Sequence, residues 1–207
     1  MMRVAFGVLA LQGGFAAHLL ALREVGAVAR EVRRPHELEG LAGLVIPGGE
    51  STALLRLMAL EDQGPHAWFD ALARFHRRGG VLLGTCAGAI LLAREVRPRQ
   101  PSLGLLDATL RRNAYGRQTD SFEGVVAAPT LGGRLPAVFI RAPRFETLGQ
   151  VEVLATHGDE PVLVQQGRIV AATFHPELTA SRAVHTLVVG LAAQADVAKD
   201  TPRGAVA

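Results

Sequence analysis

The sequence has little of several residue types on which common kinds of site depend. It has one cysteine in 207 residues, so no intramolecular disulfide can form and no Cys-x-x-Cys pair is present to bind zinc. Lys199 is the only lysine among 22 basic residues, aromatic residues make up 5%, and the arginines are spread along the chain. With a formal net charge of +3, this composition argues against nucleic-acid binding. It is typical of a protein from a reducing cytoplasm.

Long hydrophobic runs are also missing, although residues 1–11 begin like a signal peptide. Gln12, two glycines and His18 interrupt that apolar run, and no later segment reaches the roughly 18 uninterrupted apolar residues of a membrane span. We therefore predict neither a signal peptide nor a membrane anchor. The 49% hydrophobic content is enough for one core, which predicts one domain over residues 1–195 and a flexible tail over residues 196–207.

The order of the sequence patterns predicts an α/β fold. Up to about residue 95, apolar strand segments alternate with amphipathic helix segments, which lie near 14–25, 51–59 and 62–78 and after residue 86. This alternation predicts crossover connections and a parallel sheet with helices on both faces, in which ligands bind at the carboxyl ends of the strands. After residue 100, short β-rich segments predict antiparallel additions and a closing helix near 179–195. The prediction is a single three-layer domain with a mixed, mostly parallel sheet.

The single cysteine lies in the segment VLLGTCAGAILLA, residues 81–93. An apolar strand ends at Gly84 and a helix of small residues follows, so we predict Cys86 on a tight strand-to-helix elbow that exposes a nucleophile. The partial positive charge of a helix N terminus favours a thiolate, and the backbone N–H of Ala87 faces the position of an oxyanion. The alternative is a buried cysteine that acts as a small hydrophobic residue.

The segment FHPELT, residues 174–179, supplies a base and a carboxylate. Residues two apart on an extended segment project to the same side, so His175 and Glu177 are expected to face one another. With Cys86 they would form a Cys-His-Glu triad in which the carboxylate orients the imidazole. The alternative is a surface histidine beside an exposed glutamate. The six other histidines have no repeated metal-ligand spacing, so we interpret them as ordinary and predict no metal site.

The segment LVIPGGEST, residues 44–52, ends a predicted strand with a Pro-Gly-Gly turn. Adjacent glycines allow backbone N–H groups to turn toward a ligand, so Gly48 or Gly49 is a candidate second oxyanion donor. Ser51 or Thr52 could equally be the N-cap of the following helix. No Gly-Lys-Ser/Thr follows, which excludes a Walker loop.

Two further segments carry arginines beside apolar strands. In LRRNAYGRQTDSFE, residues 110–123, Arg112 or Arg117 could bind a carboxylate through the planar guanidinium group. Either arginine could instead form an ion pair with an acidic neighbour, the candidates being Asp107, Asp120 and Glu123. In FIRAP, residues 139–143, Arg141 follows a β segment and could meet the same ligand.

Together these segments resemble the class I, triad-type glutamine amidotransferases, and more narrowly the glutaminase subunits of pyridoxal 5′-phosphate synthase, the PdxT/SNO family. The resemblance covers residue 4 to about residue 190 in the family's order: GVLALQG, PGGEST, GTCAGAILLA, LGLLD, RRNAYGRQTDSFE, VFIRAP and FHPELT. The cysteine elbow and His-Pro-Glu are shared with the wider superfamily, whereas RRNAYGRQ and FIRAP indicate this branch. Tyr115 in place of the more usual Phe and Gly14 after LQG are departures, and neither is expected to touch the triad.

The resemblance implies a class I glutamine amidotransferase-like, flavodoxin-like fold with glutaminase activity. It implies that Cys86 is the nucleophile and that His175 and Glu177 complete the triad. It also implies that six residues contact L-glutamine: Gly49, Glu50, Ser51, Arg112, Ile140 and Arg141. No metal and no organic cofactor is expected for this step.

The resemblance further implies that the ammonia passes to a separate synthase subunit, which makes pyridoxal 5′-phosphate from ribose 5-phosphate and glyceraldehyde 3-phosphate. In the family that subunit forms a large ring and orders the oxyanion loop of the glutaminase, so an isolated chain is expected to be a poor glutaminase. Two alternatives stay open. One is another amidotransferase or a γ-glutamyl hydrolase on the same scaffold, and the other is a noncatalytic binding or regulatory subunit.

Overall fold

Strands and helices alternate through the first half of the chain, as the sequence predicts. The computed structural model describes residues 4–60, 65–114 and 121–200. In those residues the helices are α1 (Phe15–Glu24), α2 (Ser51–Ala59), α3 (Pro65–Arg77), α4 (Ala87–Leu92) and α5 (Ala183–Asp200). The strands there are β1 (Ala5–Leu9), β2 (Val28–Val32), β3 (Gly43–Ile46), β4 (Val81–Thr85), β5 (Ala93–Arg97), β6 (Leu106–Arg111), β7 (Phe122–Ala128), β8 (Gly133–Phe139), β9 (Arg144–Leu148), β10 (Glu152–His157), β11 (Glu160–Gln166) and β12 (Ile169–Ala172). Of the tail predicted over residues 196–207, residues 196–200 belong to α5, and residues 201–207 lie outside the described residues.

Nine of the described strands form one mixed sheet in the order β2-β1-β3-β4-β12-β11-β10-β7-β8. The four pairings from β2 to β12 are parallel, and the four from β12 to β8 are antiparallel. The mixed sheet agrees with the prediction. Parallel and antiparallel pairs are equally numerous here, because the β-rich second half of the chain returns through short hairpin connections and not through crossover helices.

Helices cover both faces of this sheet and give the predicted three layers. On one face Leu22 of α1 and Val188 of α5 belong to a buried cluster with Val45 of β3. On the other face Met58 of α2 belongs to a second buried cluster with Ile46, the next residue of β3. The two clusters alternate along β3 because successive side chains of a strand point to opposite faces. Among the helices that the structure describes, none is long and apolar enough to cross a membrane.

A second, smaller sheet in the order β5-β6-β9 was not expected from the sequence. β5 pairs in parallel with β6, and β6 pairs in antiparallel with β9. Its buried residues Val96, Leu106 and Leu110 extend the core cluster that contains Met58. This sheet therefore packs on the same side of the molecule as α2.

Four parallel strands of the main sheet end at one edge, and each is followed by a segment rich in polar residues or glycines. β1 precedes Gly13, β3 precedes Gly48, β4 precedes Cys86 and β12 precedes His175. In an open α/β sheet, ligands bind outside the carboxyl ends of the strands. The topology thus brings the predicted site segments to the expected edge.

Candidate active site

Cys86 lies on the elbow between β4 and α4, as the sequence predicts. Its backbone has a φ of 46° and a ψ of −104°, a conformation that is unusual for a residue with a side chain. Its N–H donates to the carbonyl oxygen of Ala172 at 2.8 Å, which ties the elbow to the end of β12. Its Sγ lies 3.9 Å from the carbonyl oxygen of Ile140. The elbow therefore holds the thiol above the edge of the sheet.

Small residues let α4 lie close against the sheet behind this cysteine. A Cβ on Gly88 would come within 1.9 Å of the carbonyl oxygen of Ile46 in β3, and a Cβ on Gly84 would come within 2.6 Å of the Gly88 backbone. A larger side chain at either glycine would displace α4. Ala87 is the first residue of α4, so its N–H belongs to the first turn, whose donors have no acceptor within the helix.

His175 and Glu177 face one another beyond the end of β12. His175 Nδ1 lies 2.8 Å from Glu177 Oε1, and both side chains are buried. The backbone forms a 3-10 turn over Pro176–Leu178, and the His175 N–H donates to the carbonyl oxygen of Val138 in β8 at 2.8 Å. The two side chains therefore meet across a 3-10 turn and not along the extended segment from which the sequence predicted their contact.

The side chains of Cys86, His175 and Glu177 form a chain of polar contacts. Burial opposes an imidazolium, but the hydrogen bonds and charges of Cys86 and Glu177 raise the pKa of His175 to about 10. Burial also opposes a charged Glu177, but His175 and His18 hold the pKa of this carboxyl well below its ordinary range. At neutral pH the site therefore contains an imidazolium between a carboxylate and the sulfur of Cys86.

Gly48 lies directly against the triad. A Cβ at this position would lie 2.3 Å from His175 Cε1 and 3.2 Å from Cys86 Cβ, so a larger residue does not fit. The Gly48 N–H donates to Thr85 Oγ1 at 2.9 Å, a hydroxyl that the sequence analysis did not single out. Gly49 has a φ of 148°, a conformation that L side chains rarely adopt. Because the Gly48 N–H already has an acceptor, the geometry favours Gly49 as the second oxyanion donor.

Glu50, Ser51 and Arg112 lie around the start of α2. The Glu50 carboxylate accepts the N–H groups of Thr52 (3.0 Å) and Ala53 (2.6 Å), so the N-cap is Glu50 and neither of the hydroxyl residues considered above. Burial opposes its charge, but these hydrogen bonds and Arg112 lower the pKa of Glu50. Arg112 Nη2 lies 3.4 Å from Glu50 Oε1 and 3.1 Å from Thr52 Oγ1.

The ion pair that Arg112 forms among the described residues is with Glu50, which was not among the partners considered from the sequence. Asp107 pairs with Arg94. The other residues of this segment that the sequence analysis named, Tyr115, Arg117 and Asp120, lie outside the described residues.

A pocket of about 300 Å³ unites ten of the eleven predicted site residues, a size at the small end for ligand pockets. Ala87 follows the lining residue Cys86 in the chain but does not itself line the pocket. The predicted residues on its wall are Gly48, Gly49, Glu50, Ser51, Cys86, Arg112, Ile140, Arg141, His175 and Glu177. The described residues contain no group of three or more His, Cys, Asp or Glu side chains that could hold a metal ion.

Several residues of the site were not found from the sequence. Gly13, Gly14, Ile90, Asn113 and Leu178 also line the pocket. A Cβ on Gly14 would lie 3.1 Å from an oxygen of Glu177, so the expectation that Gly14 does not touch the triad is wrong.

Two histidines interpreted as ordinary are also part of this region. His18 and His185 are completely buried, and His18 Nε2 lies 3.2 Å from Glu177 Oε2. A sequence signal for His18 was available, because it stands among apolar residues of an early amphipathic helix, where a polar side chain needs a buried partner.

Curated relatives match this chain along nearly its whole length. A model of the SNO glutamine amidotransferase family matches residues 8–192. A protein named pyridoxal 5′-phosphate synthase subunit PdxT from Deinococcus radiodurans is 50% identical over 195 residues, covering 91% of this chain and 97% of that protein. A protein of the same name from Thermus thermophilus is 49% identical over 195 residues, covering 92% of this chain and 99% of that protein.

Solved structures agree with these relatives. A crystal structure described as a glutamine amidotransferase matches with a TM-score of 0.82 at 47% identity, covering 91% of this chain and 98% of its own. A putative GMP synthase subunit from Thermoplasma acidophilum matches with a TM-score of 0.70 at 17% identity, covering 97% of this chain and all of its own, which supports the fold alone. The family match over residues 8–192 and relatives at about half identity show that the chain belongs to the SNO glutamine amidotransferase family.

Proposed function

We propose that the chain is the glutaminase subunit of a pyridoxal 5′-phosphate synthase, which hydrolyses L-glutamine to L-glutamate and ammonia and passes the ammonia to a synthase subunit. The observation that carries this proposal is the contact of Cys86, His175 and Glu177 on the wall of one pocket at the carboxyl edge of the sheet. Membership of a glutamine amidotransferase family and relatives named PdxT support the same reaction and the same class of partner.

In the first step, the thiolate of Cys86 attacks the carboxamide carbon of glutamine, and the carbonyl oxygen becomes a tetrahedral oxyanion. The N–H groups of Ala87 and Gly49 donate to that oxyanion. A single donor of this kind typically contributes about 100-fold to 1,000-fold in turnover. The amide carbonyl of the substrate therefore has to lie between the elbow and the Pro-Gly-Gly turn.

In the second step, the His175 imidazolium gives its proton to the amide nitrogen, the C–N bond breaks and ammonia leaves. Cys86 is then held as a γ-glutamyl thioester. Neutral His175 takes a proton from water, which attacks the thioester carbon and releases glutamate and the Cys86 sulfur. Glu177 remains a carboxylate throughout and orients the imidazole, because its pKa lies well below the working pH.

The rest of the pocket is proposed to bind the amino-acid part of glutamine. Arg112 and Arg141 are the two arginines among the lining residues, and a guanidinium group binds a carboxylate through two parallel hydrogen bonds. Glu50, Ser51 and Ile140 complete the substrate wall in this proposal. Arg112→Lys should raise the KM for glutamine more than it lowers kcat, because a single ammonium group cannot replace the planar fork.

The product ammonia is proposed to pass to synthase subunits that form a large ring and join it to ribose 5-phosphate and glyceraldehyde 3-phosphate. A cytoplasmic location belongs to the same proposal and rests on the single cysteine. The size of the assembly can be measured by light scattering on the mixed subunits. A complex no larger than one chain of each kind would contradict the ring.

The proposed chemistry is tested by trapping the thioester. The chain, mixed with glutamine and the synthase subunit and quenched in acid, should carry a γ-glutamyl adduct by intact-mass analysis. Cys86→Ala should carry none, and the single cysteine makes the assignment of the adduct unambiguous. Glutamate release by Cys86→Ala at the normal rate would overturn the proposal. Glutamine binding without an adduct or release would indicate the noncatalytic alternative.

A further inference from the structure

A buried network of side chains lies behind the triad carboxylate. His18 of α1 and His185 of α5 are both completely inaccessible to solvent. His18 Nε2 lies 3.2 Å from Glu177 Oε2 and 3.2 Å from Thr85 Oγ1, and His18 Nδ1 lies 3.0 Å from His185 Nε2. Thr85 Oγ1 in turn accepts the N–H of Gly48. One imidazole thus contacts both the triad carboxylate and the hydroxyl that holds the Pro-Gly-Gly turn.

The protons of this network can be assigned from its contacts. Burial, and then the proximity of His18, lower the pKa of His185 to about 3, so His185 is neutral and carries one ring N–H. His185 Nδ1 has no hydrogen-bond partner among the described residues, so the proton belongs on Nε2 and is donated to His18 Nδ1. His18 then carries its own proton on Nε2, which lies 3.2 Å from its hydrogen-bond partner Thr85 Oγ1 and 3.2 Å from Glu177 Oε2.

The two oxygens of Glu177 therefore face two different histidines, although only Oε1 has a hydrogen-bond partner among the described residues. His175 Nδ1 holds Oε1 at 2.8 Å, and His18 Nε2 faces Oε2 at 3.2 Å. The titratable groups that face Glu177 are His175 and His18, and beyond them Arg182 acts on His185. The proximity of His18 to Oε2 opposes rotation of the carboxylate away from the imidazole that it orients.

We propose that His18 is a positioning residue of the glutaminase reaction, acting through Glu177 on the triad and through Thr85 on the oxyanion turn. His185 fixes the tautomer of His18 that this role requires. The inference rests on the proposed function, because it assigns His18 a part in the same reaction. His18 is not among the residues that line the substrate pocket, so it should influence the rate of reaction and not the binding of glutamine.

The test uses two amide substitutions that separate the two ring nitrogens of His18. In His18→Gln the amide N–H lies close to the position of Nε2, so it keeps a donor toward Glu177. In His18→Asn the shorter side chain reaches only the position of Nδ1, so it keeps the contact with His185 and loses the donor toward Glu177. The two variants share the same chemical group, and folding of both is checked by circular dichroism and thermal unfolding.

The first readout is the alkylation rate of the isolated chain by iodoacetamide at pH 7, followed by intact mass. Iodoacetamide reacts with the thiolate of Cys86 and requires neither glutamine nor a synthase subunit. We expect His18→Asn to slow alkylation by about 10-fold to 100-fold, the loss typical where an outer partner that orients a reacting group is removed. His18→Gln should retain most of the rate. Equal rates in the two variants, whether both fast or both slow, would overturn the proposal.

The second readout is glutamate release in the presence of the synthase subunit. His18→Asn should lower kcat by a similar factor and leave the KM for glutamine within about twofold, again with recovery in His18→Gln. A rise in KM with unchanged kcat would contradict a positioning role. Should His18→Asn not fold, His18→Met replaces it, because methionine has the length of glutamine and no N–H.

The two readouts separate this inference from the proposed function. If alkylation follows the predicted order but no glutamate is released by the unaltered chain, His18 positions the triad and the proposed reaction is wrong. If the unaltered chain releases glutamate but both readouts are insensitive to His18, the reaction stands and the inference is wrong.

Discussion

At the scale of single residues, the contact between the proposed nucleophile and its proposed base depends on a glycine. Gly48 fits between the side chains of Cys86 and His175, where any Cβ would lie 2.3 Å from the imidazole. The sequence predicted Gly48 or Gly49 as a donor to an oxyanion. For Gly48 the structure indicates a different requirement, which is the absence of a side chain next to Cys86 and His175.

Gly48→Ala should therefore lower glutamate release by about 100-fold or more, because a displacement of about 1 Å at a reacting group has an effect of this size. The measurement is kcat/KM for glutamine with the synthase subunit present. Gly190→Ala is the matched control, since Gly190 lies in α5 with no atom within 4 Å of an added Cβ. The control should keep full activity and raise the free energy of unfolding by about 0.5–1 kcal/mol. Activity in Gly48→Ala equal to that in the control would contradict the geometry.

The protonation of His175 gives a second test at this scale. Its pKa of about 10 depends on Cys86 and Glu177, so the imidazole of the isolated chain should remain protonated at pH 8 when followed by NMR. Cys86→Ala should lower this pKa, because it removes a hydrogen-bond partner and a charge. Titration of His175 in the unaltered chain near its ordinary value of 6.5 would show that the pair does not form.

The same shifts give a dependence of stability on pH. The pKa of His175 in the folded chain is raised above 6.5. Its contribution to the free energy of unfolding is therefore fully present below pH 6.5 and is lost as the pH rises through about 10. The folded pKa of Glu177 is lowered below 4.5, so its contribution is present above pH 4.5 and is lost as the pH falls further. In urea unfolding, the stability that the unaltered chain has over Glu177→Gln should therefore shrink below pH 4.5. A difference that grows on acidification would contradict this sign.

At the scale of helices and strands, the sequence was most informative where the hydrophobic period was regular. The helix predicted near 51–59 is Ser51–Ala59, and the one near 14–25 is Phe15–Glu24. In the region after residue 100 that was predicted to be β-rich, Phe122–Ala128 and Glu160–Gln166 are strands. In these segments the local pattern and the tertiary packing favour the same structure.

The small second sheet shows where such patterns are insufficient. Its strand β5, AREVR, directly follows a helix and has exposed polar residues, and β9, RFETL, contains no fully buried residue. Both strands depend on pairing with β6, which is a long-range contact that no local period reveals. The N-cap of α2 was missed for a different reason. Glu50 is a less usual capping residue than the serine and threonine that follow it.

The cap of α2 leads to a prediction at this scale. Glu50→Ala removes the acceptor for the Thr52 and Ala53 N–H groups and the partner of Arg112, whereas Glu50→Asp keeps a favoured capping residue. The free energy of unfolding of Glu50→Ala should be about 1 kcal/mol lower than that of Glu50→Asp, as measured in urea. Equal stability of the two variants would show that the cap does not stabilise α2 in this context.

At the scale of the whole molecule, the site exists because four parallel strands end at one edge. The sequence predicted a parallel sheet that binds ligands at the carboxyl ends of its strands. It did not predict the order of those strands. The sequence therefore predicted the three residues that we propose as the triad but not the side chains behind them. His18 and His185, which are 167 residues apart, meet only because α1 and α5 cover the same face of the sheet.

The glutamine amidotransferase family model accounts for residues 8–192 of the chain. In the proposed function, the synthesis of pyridoxal 5′-phosphate therefore requires a second kind of subunit. We expect the isolated chain to release glutamate slowly and the mixed subunits to release it faster.

The most direct test of this account is the rate of glutamate release from glutamine by the purified chain, measured alone and with a pyridoxal 5′-phosphate synthase subunit. The account predicts that activity appears mainly with the partner, is absent in Cys86→Ala, and is accompanied by pyridoxal 5′-phosphate formed from ribose 5-phosphate and glyceraldehyde 3-phosphate. A rate that the partner does not change would contradict the proposed assembly, and an active Cys86→Ala would contradict the proposed nucleophile.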